Sequence, residues 1–321
     1  MLNLNISKIN KIHRGLIRWN FEMPNAPYSN RYHELKMTVK SLADISFDKI
    51  LDCFLLAFEN YFVTMPTDRN YYRERWKASK VDFNLSYGMF DKEKLVGFIF
   101  HSIDKRYGVL TAYNSGTGVI PEFRGNGIVK SIYKYALEDL EQNNIEKSTL
   151  EVITNNEKAI CSYKNVGFKK SKTYKCFSGT IKVEYSEPFE IEEINLHSIN
   201  WGELPNQHFY SWDNQKESIL EGNFTFLQVV NNKEPESFFI IKPENGYVAQ
   251  LDILKPNSNS WNRLFFAIKS ISPTIKINNV DERLTDKINQ LGKIGLNNSV
   301  NQYEMELEIK GGNNVYEIIA P

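Results

Sequence analysis

The alternation of apolar and polar positions divides the chain into two rounds of one element order. From residue 37, "TVKSLADISFDKILDCFLLAF" predicts a strand, a cap at Ser46 or Asp48, and an amphipathic helix. Ile50, Leu51, Phe54, Leu55 and Phe58 recur there at helical spacing. The aromatic segment "ENYFVTMPTDRNYYRERWKASKVDF", broken by Pro66, predicts a helix end, a loop and a second helix. Three strand-like runs follow, "SYGMF", "KLVGFIFHSI" and "VLTAYNSGTGVI", with "DKEK" as the hairpin turn between the first two. "IVKSIYKYALEDLEQNN" predicts a helix with its apolar stripe at Ile128, Ile132, Tyr135, Ala136 and Leu140. "STLEVIT" is a strand, "NEKAICSYKNV" a helix stopped by Gly167, and "FKKSKTYKCFSGTI" a further strand region.

A second round starts near residue 183. "PFEIEEINL" predicts a strand and "NWGELPNQHFYSWDNQKESILEG" a helix and loop. "FTFLQVVNNKEPESFFIIKPENGYVAQLDIL" holds three strands with turns at "NNKE" and "PENG". A helix at "WNRLFFAIKSI", a strand at "TIKINN", a helix at "ERLTDKINQLGKIG" and a strand at "QYEMELEI" complete the order of the first round. The expectation is an internal duplication of a three-layer α/β unit with a mixed sheet. Its bounds are 37–182 and 183–321. Residues 1–36 lack clear periodicity and stand apart, as a flexible arm or as translation from an upstream start.

Composition narrows the function classes. Lys plus Arg balance Asp plus Glu at 39 each, which counts against nucleic acid as partner. No apolar run approaches the roughly 18 residues needed to span a bilayer, and the N-terminus has no secretory h-region. Cys53, Cys161 and Cys176 are widely separated, which fits free thiols in a reducing cytoplasm. His101 has no partner at metal spacing and reads as structural, so no metal site is expected.

The chemistry concentrates in "GTGVIPEFRGNGIV", Gly116 to Val129. A strand, then "RGNG", then a helix places exposed backbone N–H groups at a helix N-terminus. Gly125 and Gly127 leave room there for a phosphate. The dinucleotide fingerprint and the Walker loop are both absent, and a plain turn is the remaining alternative.

Val119, Ile120, Pro121, Glu122, Phe123, Arg124, Gly125, Asn126, Gly127 and Ile128 resemble the signature V-x-P-x-[FY]-R-G-x-G-[IL] of the GCN5-related N-acetyltransferases. That family usually has glycine or alanine where this chain has Val129. A second block is similar in the same order: Leu150, Glu151, Val152, then Asn156 and Ala159, then Tyr163, then Gly167 and Phe168. The resemblance covers roughly residues 37 to 180.

The resemblance implies acetyl-CoA as cosubstrate, with its pantetheine beside Thr117, Gly118 and Val119 and a backbone N–H near Val119 as oxyanion donor. It implies that Arg124 to Val129 hold the pyrophosphate and that Asn156 sits near the cofactor arm. Tyr163 matches the general acid, since a phenol of pKa about 10 is protonated at neutral pH. Glu151 is the candidate base, acting through water; an ion-paired or solvated strand residue is the competing role. Cys161 lies on the Tyr163 helix and fits packing better than covalent catalysis. Tyr61, Phe62, Tyr71 and Tyr72 stand where the family covers its acceptor, as pocket wall or as core.

In the second round the arginine and glycines are missing. "NSNSW" stands in the loop position, with Pro256 and Asn279 retained. It reads as a degenerate domain of the same family that walls the acceptor site without binding CoA productively. The implied activity is N-acetylation of a small-molecule or peptide amine by a monomer or homodimer. The alternative is a non-catalytic acyl-CoA-binding sensor or scaffold.

Overall fold

The computed structural model describes residues 37–59, 65–185 and 187–309. The expectations for residues 1–36, Tyr61 and Phe62 lie outside them. The first half runs β1 (Met37–Ser41), α1 (Phe47–Ala57), α2 (Arg69–Ala78), β2 (Tyr87–Asp91), β3 (Lys94–Arg106) and β4 (Val109–Val119). It continues with α3 (Ile128–Gln142), β5 (Lys147–Ile153), α4 (Glu157–Val166) and β6 (Lys169–Thr180). The second half runs β7 (Glu190–Ile194), α5 (Lys216–Glu221), β8 (Thr225–Asn231), β9 (Glu234–Lys242) and β10 (Tyr247–Ile253). It ends with α6 (Ser260–Ile271), β11 (Thr274–Asp281), α7 (Thr285–Lys293) and β12 (Asn297–Glu308).

The twelve strands of the described residues form one mixed sheet, in the order β1-β2-β3-β4-β5-β12-β6-β11-β10-β9-β8-β7. Replacing each strand by its counterpart in the other half and reading backwards returns the same order. The expected duplication is therefore present as a two-fold pattern in the topology. It carries a feature that periodicity does not reveal. The last strand of each half pairs with the fifth strand of the other: β12 with β5, and β6 with β11, all antiparallel. The sheet thus runs unbroken across the 182/183 junction.

Helices cover both faces, giving three layers. A Cβ added to Gly118 would meet Ala57, so α1 lies on one face. A Cβ on Gly97 would meet Ile128, so α3 lies on the other. In the second half, residues 201–219 pack on Phe238 and Ile240, while α6 and α7 pack against Phe239 and Ile241 on the opposite face. Side chains alternate across a strand, so these neighbouring pairs define the two faces of β9.

Two local expectations change. The α3 stripe uses Tyr133, which is buried, while Tyr135 is exposed. Residue 133 is one position past Ile132 and joins the 128–132–136–140 face; residue 135 turns away from it. The stretch 201–222, expected as a helix and a loop, is a run of short 3-10 turns followed by the short helix α5. Pro205 and the aromatic residues Trp201, Tyr210 and Trp212 anchor each turn separately, and the last three are buried.

Candidate active site

β4 and β5 are parallel and pair only from Thr111↔Lys147 to Asn114↔Leu150. At that point β4 bulges. Phe100 faces Gly116 and His101 faces Asn114, leaving Ser115 as the extra residue. Asn114 locks the bulge. Its Nδ2 donates to the Thr117 hydroxyl and the Tyr133 hydroxyl, both at 2.7 Å, and its Oδ1 accepts from the Gly116 amide at 3.0 Å. Beyond it β4 keeps β3 as partner but diverges from β5. The Ile120 amide donates to the Val96 carbonyl on the β3 side. Backbone groups alternate along a strand, so Val119 turns its N–H toward the opening. The sheet geometry therefore leaves polar backbone of β4 available on one side, beside Thr117, Gly118 and Val119.

Gly118 has a packing reason as well. A Cβ there would lie 2.6 Å from the Phe98 ring and 2.8 Å from the Ala57 side chain. Gly118→Val is expected to cost about 1–3 kcal/mol by overpacking, read as a lower Tm. An unchanged melt would show that α1 can move away freely.

The loop at the mouth of the opening is built for an anion. Gly125 (φ 84°) and Gly127 (φ 68°) adopt left-handed backbone, and no atom lies within 4 Å of an added Cβ at either. Among the described residues, the amides from Gly125 to Lys130 donate to no protein acceptor, and the α3 N-terminus has no side-chain cap. Free amides at a helix N-terminus form an anion site. Arg124 braces this loop. Its Nε donates to the Val119 carbonyl (3.1 Å) and its Nη2 to the Ala57 carbonyl (3.0 Å). Asn126 donates to the Phe123 carbonyl (3.1 Å). Ile128 is buried, and Val129 is half-buried against the first core, so its side chain packs and its amide remains in the row.

Asn156 caps α4, accepting from the Ala159 amide at 3.3 Å. Tyr163 lies on α4, 8% exposed, edge-on to Tyr133 and Phe168. Glu151 lies on the other face of β5, because Ser148, Leu150 and Val152 take the α3–α4 side. The two candidate catalytic groups thus approach the opening from opposite faces of the sheet. Cys161, on the same helix as Tyr163, is exposed.

Glu151 owes its environment to the second half. Its Oε2 accepts from Asn279 Nδ2 at 2.6 Å, and its Oε1 is buried without a partner among the described residues. Glu304 of β12 is its direct cross-strand neighbour. Burial, then the charges of Asp213 and Glu304, push the Glu151 carboxyl up to about 8; Asn279 and Lys172 oppose them. Glu304 is itself held by the Tyr174 hydroxyl (2.7 Å), the Ser171 hydroxyl (2.9 Å) and Lys172 (3.3 Å).

The α1–α2 face above Glu151 is walled by residues 207–218. Trp212 stacks on Tyr113 with ring centroids 4.9 Å apart and planes 6° apart, and the Arg106 guanidinium lies 3.9 Å from the Trp212 ring. Arg106 donates to Gln215 (3.3 Å), Glu217 (3.1 Å) and Ser218 (2.9 Å). Asp213 is solvent-exposed, yet burial is the largest influence on its carboxyl and raises its pKa. Tyr72 is core, donating to the Pro66 carbonyl at 2.8 Å, whereas Tyr71 is exposed and accepts from Arg75 at 2.9 Å.

His101 is buried and its Nδ1 donates to the Leu85 carbonyl at 2.7 Å. Burial lowers its pKa to about 4, so the ring is neutral. Among the described residues, no group of three His, Cys, Asp or Glu side chains is placed to hold a metal ion. Nor is any helix long and apolar enough to cross a membrane.

The equivalent opening in the second half is filled by the chain itself. β10 pairs with β11 only at Tyr247↔Lys276 and bulges at Ala249. Tyr210 occupies the gap, donating to Asp252 at 2.5 Å and lying 3.2 Å from the Leu251 carbonyl. Buried Lys287 pairs with Asp252 at 2.9 Å. At the α6 N-terminus, Arg263 is tied to Glu236 (2.6 Å) and Asn257 (2.7 Å).

Sequence reasoning missed Arg75, Trp212, Asp213 and Glu304. No spacing motif marks them, because the fold brings them together from separate elements.

Residues 49–168 match the acetyltransferase (GNAT) family model. No curated protein matches the chain. A solved protein of Pyrococcus horikoshii assigned as an acetyltransferase is similar at TM-score 0.60 and 15% identity, over 90% of this chain and 95% of that one. A tandem GNAT protein from the clavulanic acid biosynthesis pathway gives TM-score 0.60 and 11% identity, over 86% and 100%. A GCN5-related N-acetyltransferase from Sphaerobacter thermophilus gives TM-score 0.59 and 11% identity, over 86% and 97%.

Proposed function

We propose, on the premise that this chain is a GNAT-superfamily protein of the tandem form, that it transfers an acetyl group from acetyl-CoA to an amine. The observation that carries this is the opening between β4 and β5, with a row of free amides at its mouth and Glu151 beside it. The residues present fit the cosubstrate. The amides of Gly125 to Val129 suit the pyrophosphate, with Arg124 holding their loop in shape, and Thr117 to Val119 offer backbone to the pantetheine. Asn156 fixes the start of α4 next to them.

Bound acetyl-CoA supplies an activated thioester. Glu151 takes the proton from the acceptor ammonium, directly or through water, leaving a nucleophilic amine. The Val119 N–H stabilises negative charge on the carbonyl oxygen. The new N–C bond forms, the C–S bond breaks, Tyr163 gives its proton to the departing sulfur, and the proton lost from the acylated nitrogen restores the Tyr163 hydroxyl, directly or through water. A carboxyl with pKa about 8 is a stronger base than an ordinary glutamate, and it is poised near the working pH.

In this reading the second half binds no CoA, because Tyr210, Asp252 and Lys287 fill its opening. Its work is to supply Asn279, Glu304 and the wall at Trp212 and Asp213.

Release of CoA thiol with a panel of amines, amino acids, polyamines, aminoglycosides and peptides tests the activity. Tight acetyl-CoA binding with transfer to none of them would favour a sensor instead. Tyr163→Phe is expected to lower kcat roughly 10²-fold with little change in acetyl-CoA affinity. If transfer is intact at every pH, Tyr163 is not the acid.

A further inference from the structure

Asn279 interrupts the strand it lies in. β11 shifts register against β6 between Ile277 and Val280, so that Asn278 and Asn279 together face Cys176. Asn279 takes left-handed backbone there, at φ 57°, and is 5% exposed. Asparagine visits that conformation more readily than most residues. A buried residue keeps it only where its surroundings over-determine it.

Those surroundings come from both halves. Asn279 Oδ1 accepts from Gln302 Nε2 of β12 (2.7 Å) and from the Cys176 thiol of β6 (3.5 Å). The Asn279 backbone N–H donates to Cys176 Sγ (3.4 Å). These contacts assign the oxygen of the carboxamide, so its nitrogen is the end that meets β5. Nδ2 donates to Glu151 Oε2 at 2.6 Å and to the buried Ser211 hydroxyl at 3.3 Å.

The two oxygens of Glu151 are thereby made unequal. Oε2 holds a short bond from a neutral donor, and Oε1 is buried with no partner among the described residues. An oxygen that already accepts a hydrogen bond is the weaker base of the two, so a proton goes to Oε1. The same bond fixes the plane of the carboxylate, which a lone glutamate leaves free to turn.

We propose that Asn279 is a positioning residue for the transfer, holding Glu151 by Oε2 and leaving Oε1 as the atom that takes the acceptor's proton. The second half then contributes to the catalytic geometry as well as to the wall. This rests on the acetyl-transfer reading above. The groups that set the charge at Glu151 come from every side. Glu304 of β12 lies opposite; Lys172, Tyr174 and Cys176 come from β6, Tyr113 from β4, Tyr247 from β10 and Asp213 from the turn before α5. Asn279 and Lys172 favour the ionised carboxylate, Asn279 through a direct bond.

Two variants test this. Asn279→Gly keeps the left-handed backbone, which glycine adopts freely, and removes the side chain. Asn279→Asp keeps the shape and sets a carboxylate where the donor was. Glu151 loses a bond that favours its ionised form in the first and gains a like charge in the second. The midpoint of the kcat–pH profile is expected to move up by roughly one to two units in Asn279→Gly, and further in Asn279→Asp. On the high-pH plateau, kcat of Asn279→Gly is expected to lie about tenfold or more below wild type, with KM for acetyl-CoA unchanged. Should the glycine variant fail to fold, the aspartate variant carries the same comparison. A wild-type midpoint in a folded variant, or a raised KM for acetyl-CoA with kcat intact, overturns the proposal. Infrared titration of the protein without ligand separates it from the activity. The C=O band of protonated Glu151, identified by its absence in Glu151→Gln, is expected to persist to higher pH in both Asn279 variants. A shifted band in a protein that acetylates no amine supports the Asn279 contact while removing the acetyl-transfer reading, and an unshifted band overturns the contact.

Discussion

Glu151→Gln is expected to lower kcat roughly 10²–10⁴-fold and to abolish the rise in kcat expected of wild type as pH passes about 8. The carboxyl is raised because it is buried and faces Asp213 and Glu304, with Asn279 and Lys172 as the opposing influences. Only the ionised form can take a proton, so activity follows its deprotonation. Stability must move the other way. The folded state keeps this proton up to about pH 8, while the unfolded chain loses it near the ordinary glutamate value of 4.5. The folded state therefore binds more protons between those values, and the contribution of this group to stability falls as pH rises through that window. Glutamine carries no such dependence. Near pH 9 the variant is expected to melt above wild type, and the difference should shrink toward pH 5. A pH–rate profile and paired melts check both halves. An unchanged profile in the glutamine variant would remove Glu151 as base, and a variant melting below wild type at pH 9 would contradict the buried-charge argument.

Ending the chain after Leu296, before β12, is expected to destroy the cooperative fold of both halves. β12 lies between β5 and β6 and pairs with each along most of its length. It also places Met305, 1% exposed, in the first core. Its loss opens two ladders in the middle of the sheet and leaves buried backbone groups without partners, each a substantial cost. Against a net stability of roughly 5–15 kcal/mol for a typical domain, that is a loss of folding. The same argument applies to residues 37–182 alone, whose β5 and β6 would lack the strand between them. Circular dichroism melts and solubility measure this. A truncated chain with a sharp transition near the wild-type temperature would show that the exchange is dispensable.

The elements were legible because their periods differ. Helical spacing in α1, alternation in β8 and β9, and the turns at Lys92–Glu93 and Asn232–Lys233 are local properties of the chain. The anion loop was legible for the same reason: Gly125 and Gly127 are needed by backbone conformation alone. Tyr133 was missed for Tyr135 because one helix position decides which side chain meets the sheet, and the stripe width leaves that open. Glu151 was visible as a candidate base, but its raised pKa was not, since every group that sets it except burial comes from beyond residue 171.

Sequence by itself determined the two rounds of strands and helices, the glycine loop that leaves amides free at α3, and the candidate acid and base. Those depend on contacts within a turn or a few residues. The tertiary structure decided that each half gives its last strand to the other, and that Asn279, Glu304 and Asp213 gather around Glu151. It also decided that Tyr210 fills the second opening. These depend on register between strands far apart in the chain. Hydrogen-bonded ladders set that register once the whole sheet has closed, and no local pattern encodes it.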